Sequence, residues 1–211
     1  MLAANVAAGP RCAPHTIGGR IFRCFVSIAG TMSDTSLPLH IGPACLGDAR
    51  AIAEVHVRSW QQAYRHMLPS NYLSLLSVER REAMWLASMT QRRPELVVAH
   101  EGPDLVGFVA FGPSRDGDAD DGAAEVWAFY VEPAYWSRGV GLALWNEALE
   151  RMADDGARSV TLWVIEHNER ALRFYRRAGF EADAGPRKVV NVGGVQLREV
   201  RQVLRLSPAA A

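Results

Sequence analysis

The chain has almost no lysine, few cysteines and no long apolar run. Lys188 is the only lysine, and 23 basic residues face 23 acidic ones for a formal net charge of zero. A balanced surface lacks the basic stripe that a phosphate backbone or an anionic bilayer attracts, so neither nucleic acid nor a membrane is an expected partner. Cys12, Cys24 and Cys45 are an odd number without metal-ligand spacing, which argues against a disulfide framework and suits a reducing cytoplasm. No stretch approaches the roughly 20 apolar residues of a membrane span. The apolar run Ile21 to Gly30 resembles the apolar part of a signal peptide, but Arg23 interrupts it and it is only about ten residues long, so a signal or transit peptide is the lesser alternative. The histidines, His56 and His167 among them, show no paired spacing such as H-E-x-x-H, so no metal site is expected.

What is present is a chain of 211 residues, 49% hydrophobic, enough for one domain with a real core. Residues 1–36 mix Ala, Gly and Pro without period and are expected to be a disordered extension; Met32 is an alternative start. Residues 37–207 are expected to form the domain and 208–211 a tail. Within it, apolar periodicity predicts a strand at Leu39 to Pro43, then a helix from about Asp48, whose carboxylate can cap it. A second helical region runs from Pro69 to about Met89. A hairpin turns at Gly102-Pro103-Asp104, and a strand over Ala124 to Val131 follows an acidic loop. A helix from about Gly139 to Asp155 is predicted to place Leu142, Trp145, Leu149 and Met152 on one face. A buried strand, a helix between Asn168 and Gly179, and a hairpin at Gly193-Gly194 complete a mixed α/β layer with helices on both sides.

Chemistry concentrates at Arg138-Gly139-Val140-Gly141-Leu142, between a strand and a helix. A helix start leaves N–H groups unpaired and carries the positive end of the dipole, glycine lets a phosphate approach them, and Arg138 adds charge. A dinucleotide fingerprint would need glycine at Leu144, and no G-x-x-x-x-G-K-[ST] loop exists.

Val131-Glu-Pro133 followed by Trp136-Ser-Arg-Gly139-Val-Gly141 resembles the acyl-CoA pyrophosphate motif [RQ]-x-x-G-x-[GA] of the GCN5-related N-acetyltransferases, with Trp136 where Arg or Gln is commonest. Asn168-Glu-Arg-Ala171-Leu-Arg-Phe174-Tyr175-Arg-Arg-Ala-Gly179-Phe180 is similar to the family's N-x-x-A-x-x-F-Y-x-x-x-G-F. The likeness spans about Leu39 to Leu206. It implies a mostly antiparallel mixed sheet flanked by helices, and an acyltransferase that moves an acetyl group from acetyl-CoA to an amine. Phe129, Tyr130 and Val131 would hold the pantetheine arm, Arg138 to Leu142 the pyrophosphate, and Asn168 the pantetheine region or simply the helix cap.

The resemblance further implies that Tyr175 protonates the departing thiolate and that Glu125 takes the proton of the amine. A salt-bridged strand-end carboxylate is the other reading of Glu125, and a buried structural hydroxyl that of Tyr175. Period-two alternation puts Glu125, Trp127 and Phe129 on one face. Trp60, Tyr64 and Trp127 are acceptor-pocket candidates, although aromatics at helical spacing also build cores. Arg170, Arg173, Arg176 and Arg177 read as a solvated helix face. A small-molecule amine is the expected partner, with protein N-termini or lysines, or a non-catalytic acyl-CoA-binding module, as alternatives; a homodimer stays open. No cysteine lies in either motif, so direct attack in a ternary complex is expected rather than an acyl-enzyme.

Overall fold

The computed structural model describes residues 37–206 apart from 186. The expectations for residues 1–36 and 208–211 lie outside the described residues. Eight strands form one sheet: β1 (Leu39–Pro43), β2 (Glu95–Glu101), β3 (Asp104–Pro113), β4 (Ala123–Val131), β5 (Ser159–Ile165), β6 (Glu181–Ala182), β7 (Lys188–Val192) and β8 (Val195–Arg205). Their order is β1-β2-β3-β4-β5-β8-β6, with β7 on the other stretch of β8. Only β4 and β5 run parallel; every other pair is antiparallel. Helices α1 (Ala49–Ala63), α2 (Ser70–Ser74) and α3 (Val78–Thr90) precede the β2–β3 hairpin, α4 (Val140–Asp154) crosses from β4 to β5, and α5 (Glu169–Arg177) follows β5.

Two apolar clusters sandwich the sheet. Ile52, Ala53 and Val55 of α1 and Trp85 of α3 pack on Val98, Phe108 and Ala110. On the other face Val140, Leu144, Trp145, Ala148 and Met152 of α4 pack with Val97, Val109, Val160 and Leu162. Each such fully buried side chain contributes roughly 1.5–3 kcal/mol. Leu142, expected on this stripe, is 55% exposed. The stripe instead follows Val140, Leu144 and Ala148, which places Leu142 half a turn away.

Two other expectations at helix starts need correction. Asp48 makes no side-chain cap for α1. Its carboxylate accepts from the Cys45 N–H at 2.7 Å, closing the short turn before the helix. The helical region after Pro69 is broken at 75–77, where Ser77 caps a new helix by accepting from the Arg80 N–H. Asn168 and Gly179 bound α5 as expected: the Asn168 side chain accepts from Ala171 N–H at 3.2 Å, and Gly179 has φ +91°.

His56 sits inside the α1–α3–sheet cluster, 5% exposed. The Trp85 indole N–H can only donate, so its 3.3 Å bond to Nδ1 leaves the proton on Nε2 of a neutral ring. Burial, with Arg81 nearby, pushes its pKa down to about 3. A depressed pKa means that the unfolded chain binds the proton first, so stability is present above the unfolded value near 6.5 and is lost as the pH falls toward 3. Urea midpoints measured across that window should fall with pH in the native protein, and His56→Gln should flatten the slope.

Candidate active site

The β4–β5 pair is the centre of the site because it comes apart. Pairing runs from Ala123↔Ser159 to Val126↔Leu162 and stops. Beyond that point β4 keeps only β3, and Trp163 to Ile165 of β5 keep only β8. The strand edges that face the gap are left without a strand partner, and backbone polar groups without a partner call for water or a ligand.

A β-bulge marks the parting. Ala110 lies opposite Ala128 while Phe111 lies opposite Val126, so Trp127 is the extra residue of β4. The bulge reverses the faces of everything after it. Ala124 and Val126 pack with the α4 cluster, Ala128 and Tyr130 with the α1–α3 cluster, and Phe129 and Val131 return to the α4 side. Glu125 and Trp127 therefore share a side, with Arg115 over the Trp127 ring at 4.2 Å, but Phe129 does not. Its ring meets Phe174 of α5 edge-on at 5.4 Å. Regular alternation, which grouped all three, fails at this one residue.

The loop from β4 to α4 is tied down at Val131, whose carbonyl accepts from Ser59 Oγ at 3.0 Å and from the Trp136 indole at 2.8 Å. Trp136, the departure from the family pattern, thus anchors the loop, and Arg170 lies over its ring at 4.2 Å. Gly139 takes φ +87°, open space where a side chain would be strained. The amides of Ser137, Gly139, Val140, Gly141 and Leu142 make no backbone hydrogen bond among the described residues, while Ala143 N–H is the first to return to Gly139. A cradle of free N–H groups at a helix start fits a diphosphate. Arg138 borders it, 3.8 Å from Glu101 and stacked on Tyr135.

Tyr175 of α5 packs into the apolar cluster on the α4 side of the sheet. It is 9% exposed, wedged between Phe174 and Phe180, and no protein group bonds its hydroxyl among the described residues. Burial raises its pKa, and the neighbouring Tyr130 raises it further. On the opposite face of the sheet, Trp60 donates to the Tyr130 hydroxyl at 2.9 Å, Tyr64 meets Trp60 edge-on at 5.0 Å, and His56 stacks on Tyr130 at 4.6 Å. Burial also raises the pKa of Tyr64, and Tyr130, Tyr175 and Glu199 add to the effect while Asn168 opposes it. The structure thus brings Tyr64 at the end of α1, Tyr130 of β4, and Asn168 and Tyr175 of α5 and its cap into electrostatic reach of one another.

Glu125 is elsewhere in character. It is 2% exposed, and its carboxylate accepts from the Arg115 backbone N–H at 2.8 Å and from Nε at 3.1 Å, with Nη2 paired as well. Two features gave no sequence signal. The charge of Glu199 of β8 bears on Tyr64 and Tyr130, and Arg201 gathers Asp116, Asp118 and Asp183 at 3.3, 2.7 and 2.5 Å. The only clue was alternation along β8, which puts Leu197, Glu199 and Arg201 on one face.

Residues 57–180 match the family model described as the Acetyltransferase (GNAT) family. The chain is 32% identical over 158 residues to the uncharacterized N-acetyltransferase YuaI of Bacillus subtilis, covering 74% of this chain and 87% of that protein. It is 31% identical over 85 residues to the spermine/spermidine N(1)-acetyltransferase of Bacillus subtilis, 39% of this chain and 55% of that one. Its fold is similar to that of a PaiA N-acetyltransferase from Thermoplasma acidophilum solved in complex with coenzyme A, with a TM-score of 0.62 and 20% identity over 81% of this chain and 100% of that one. A family match across more than half of the sequence, and a relative aligned over most of its length, make the chain a member of the acetyltransferase (GNAT) family and an N-acetyltransferase.

Proposed function

We propose that the protein transfers an acetyl group from acetyl-CoA to the primary amine of a small molecule, in the cytoplasm, by direct attack in a ternary complex. The observation that carries this reading is the gap between β4 and β5, with the unbonded amides at the start of α4 following directly on β4; the buried Tyr175 on α5 supports it. The donor supplies an activated thioester. Ser137 to Leu142 bind its diphosphate, with Arg138 and the exposed Leu142 at the rim. The free edge of β4 at Phe129, Tyr130 and Val131 guides the pantetheine arm, and Asn168 closes the far side.

Tyr175 serves as the acid. Its raised pKa keeps the proton on the hydroxyl over the physiological range, so it can give that proton to a thiolate and cannot act as a base. Glu125 has both oxygens committed to Arg115, which favours positioning of the β3–β4 loop over proton abstraction. Trp60, Tyr64 and Trp127 line the acceptor side.

Two clamps favour a small acceptor over a polypeptide. Arg201 holds the loop after β3 through Asp116 and Asp118. Gly193 at the β7–β8 turn lies so close to Tyr72 that an added Cβ would stand 2.6 Å from its ring, which fixes that hairpin against α2. The relative that acetylates spermine and spermidine supports the same class of acceptor.

Thiol release from acetyl-CoA, measured against amines, peptides and antibiotics, tests the reading. Turnover is expected with small amines, and a protein that neither binds nor consumes acetyl-CoA would overturn it. Tyr175→Phe should lower kcat about a hundredfold or more while leaving the KM for acetyl-CoA within about threefold. Gly141→Asp, which sets a carboxylate against the diphosphate, should raise that KM at least about tenfold with kcat at saturation largely kept.

A further inference from the structure

Carboxylates around the acceptor end of the cleft are nearly all neutralised. Glu125 has Arg115, Asp116 has Lys188 and Arg201, Asp118 and Asp183 share Arg201, and Glu166 has Arg187 and Arg198. Glu199 is the exception. It is half-buried, yet it makes no side-chain hydrogen bond and no ion pair among the described residues.

Its place in the sheet says what it faces. Glu199 lies opposite Ile165, the last residue of β5, just past the point where β5 has left β4. Leu197, two residues before it, packs with Tyr64, Leu68 and Leu73, so this side of β8 looks toward α1 and α2. Arg201, two residues after it, fixes the β3–β4 loop. Lys188 lies opposite on β7, but its ammonium is spent on Asp116 at 2.7 Å and on the Trp163 ring at 3.8 Å. The hydroxyls of Tyr64 and Tyr130 feel the charge of Glu199.

A half-buried carboxylate with no ion pair of its own among the described residues, next to aromatic side chains and the strand gap, is a site for a cation. We propose that Glu199 binds the ammonium group of the acceptor and takes its proton. In the step, an N–H bond of the ammonium breaks and its proton passes to the Glu199 carboxylate. The freed nitrogen lone pair then forms the bond to the thioester carbon, the C–S bond breaks, the thiolate takes the proton of Tyr175, and the acylated nitrogen gives up its second proton to restore the Tyr175 hydroxyl. Burial raises the pKa of Glu199 and Lys188 lowers it; Tyr64 and Tyr130 are the other titratable groups that face it. The raised value brings the carboxylate closer to the acidity a base needs near neutral pH. The acceptor class that follows is a compact alkylammonium, in preference to a neutral or anionic amine carrier.

The proton step rests on the acetyl-transfer reading, whereas the binding step does not. Propylammonium and 1,3-diaminopropane, titrated into the full chain and followed by tryptophan fluorescence, test binding directly. The wild type should respond saturably to at least one of them, and Glu199→Gln should weaken that response about tenfold or more, since a hydrogen bond to a charged group is lost. Melting curves with acetyl-CoA should shift equally in both proteins, which separates the effect from misfolding. In turnover, Glu199→Gln should lose the acid limb of the kcat/KM profile for the amine, and Glu199→Asp should recover part of it. Equal ammonium responses in wild type and Glu199→Gln, or no wild-type response to either probe, would overturn the proposal. A protein that binds the amine through Glu199 but never consumes acetyl-CoA would instead overturn the acetyl-transfer reading and leave the ammonium site standing.

Discussion

The site depends on where β4 lets go of β5. Parallel strands are normally interior and fully paired, because every unpaired N–H or C=O in a buried sheet costs free energy. Here the pairing ends at Val126↔Leu162 although both strands continue. Each is kept in place by its other neighbour, β4 by β3 and β5 by β8, so the gap stays open without either strand losing its place in the sheet. The bulge at Trp127 adds the twist that turns β4 away and re-aims its side chains. Phe129 then meets α5 while Tyr130 meets α1, and one strand presents groups to both mouths of the opening.

A gap of this kind needs walls that do not collapse into it. On the α1 side the wall is aromatic: Trp60, Tyr64, His56, Trp85 and Phe108 form a run of ring contacts around Tyr130. On the β8 side it is ionic. Arg201, whose side chain is 11% exposed, meets three carboxylates, one of which, Asp116, also takes Lys188 and the Trp163 indole. The value of the network is geometric, since it fixes a loop that sequence shows only as an acidic, glycine-containing stretch.

The parts of the fold legible in the sequence were those with local signals. Gly139, Asn168 and Gly179 mark helix ends through capping and positive φ, so the two ordered motifs around them fall at the start of α4 and along α5. Local signals misled where tertiary contacts won. Asp48 spent its carboxylate on the turn before α1, and Leu142 lay off the buried stripe. The Trp127 bulge was invisible because alternation carries no mark of an inserted residue. Glu199 was out of reach for another reason: it lies 74 residues beyond Glu125, and only the strand order, with β8 beside β5, brings it to the same cleft.

Glu125 and Glu199 show why burial alone does not identify a working carboxylate. The more buried of the two, Glu125, is matched to a guanidinium and a backbone N–H, so its charge is already satisfied within the protein. Glu199 is less buried and makes no hydrogen bond or ion pair among the described residues; Lys188 across the β7–β8 pair acts on it only at a distance, since its ammonium is held by Asp116. Charge satisfied within the protein stabilises the fold, whereas charge left over at a cleft is available to a ligand. In the proposed reaction the first kind holds the β3–β4 loop and the second meets the amine. The two roles therefore fall on different strands, with the parted edge of β5 between them.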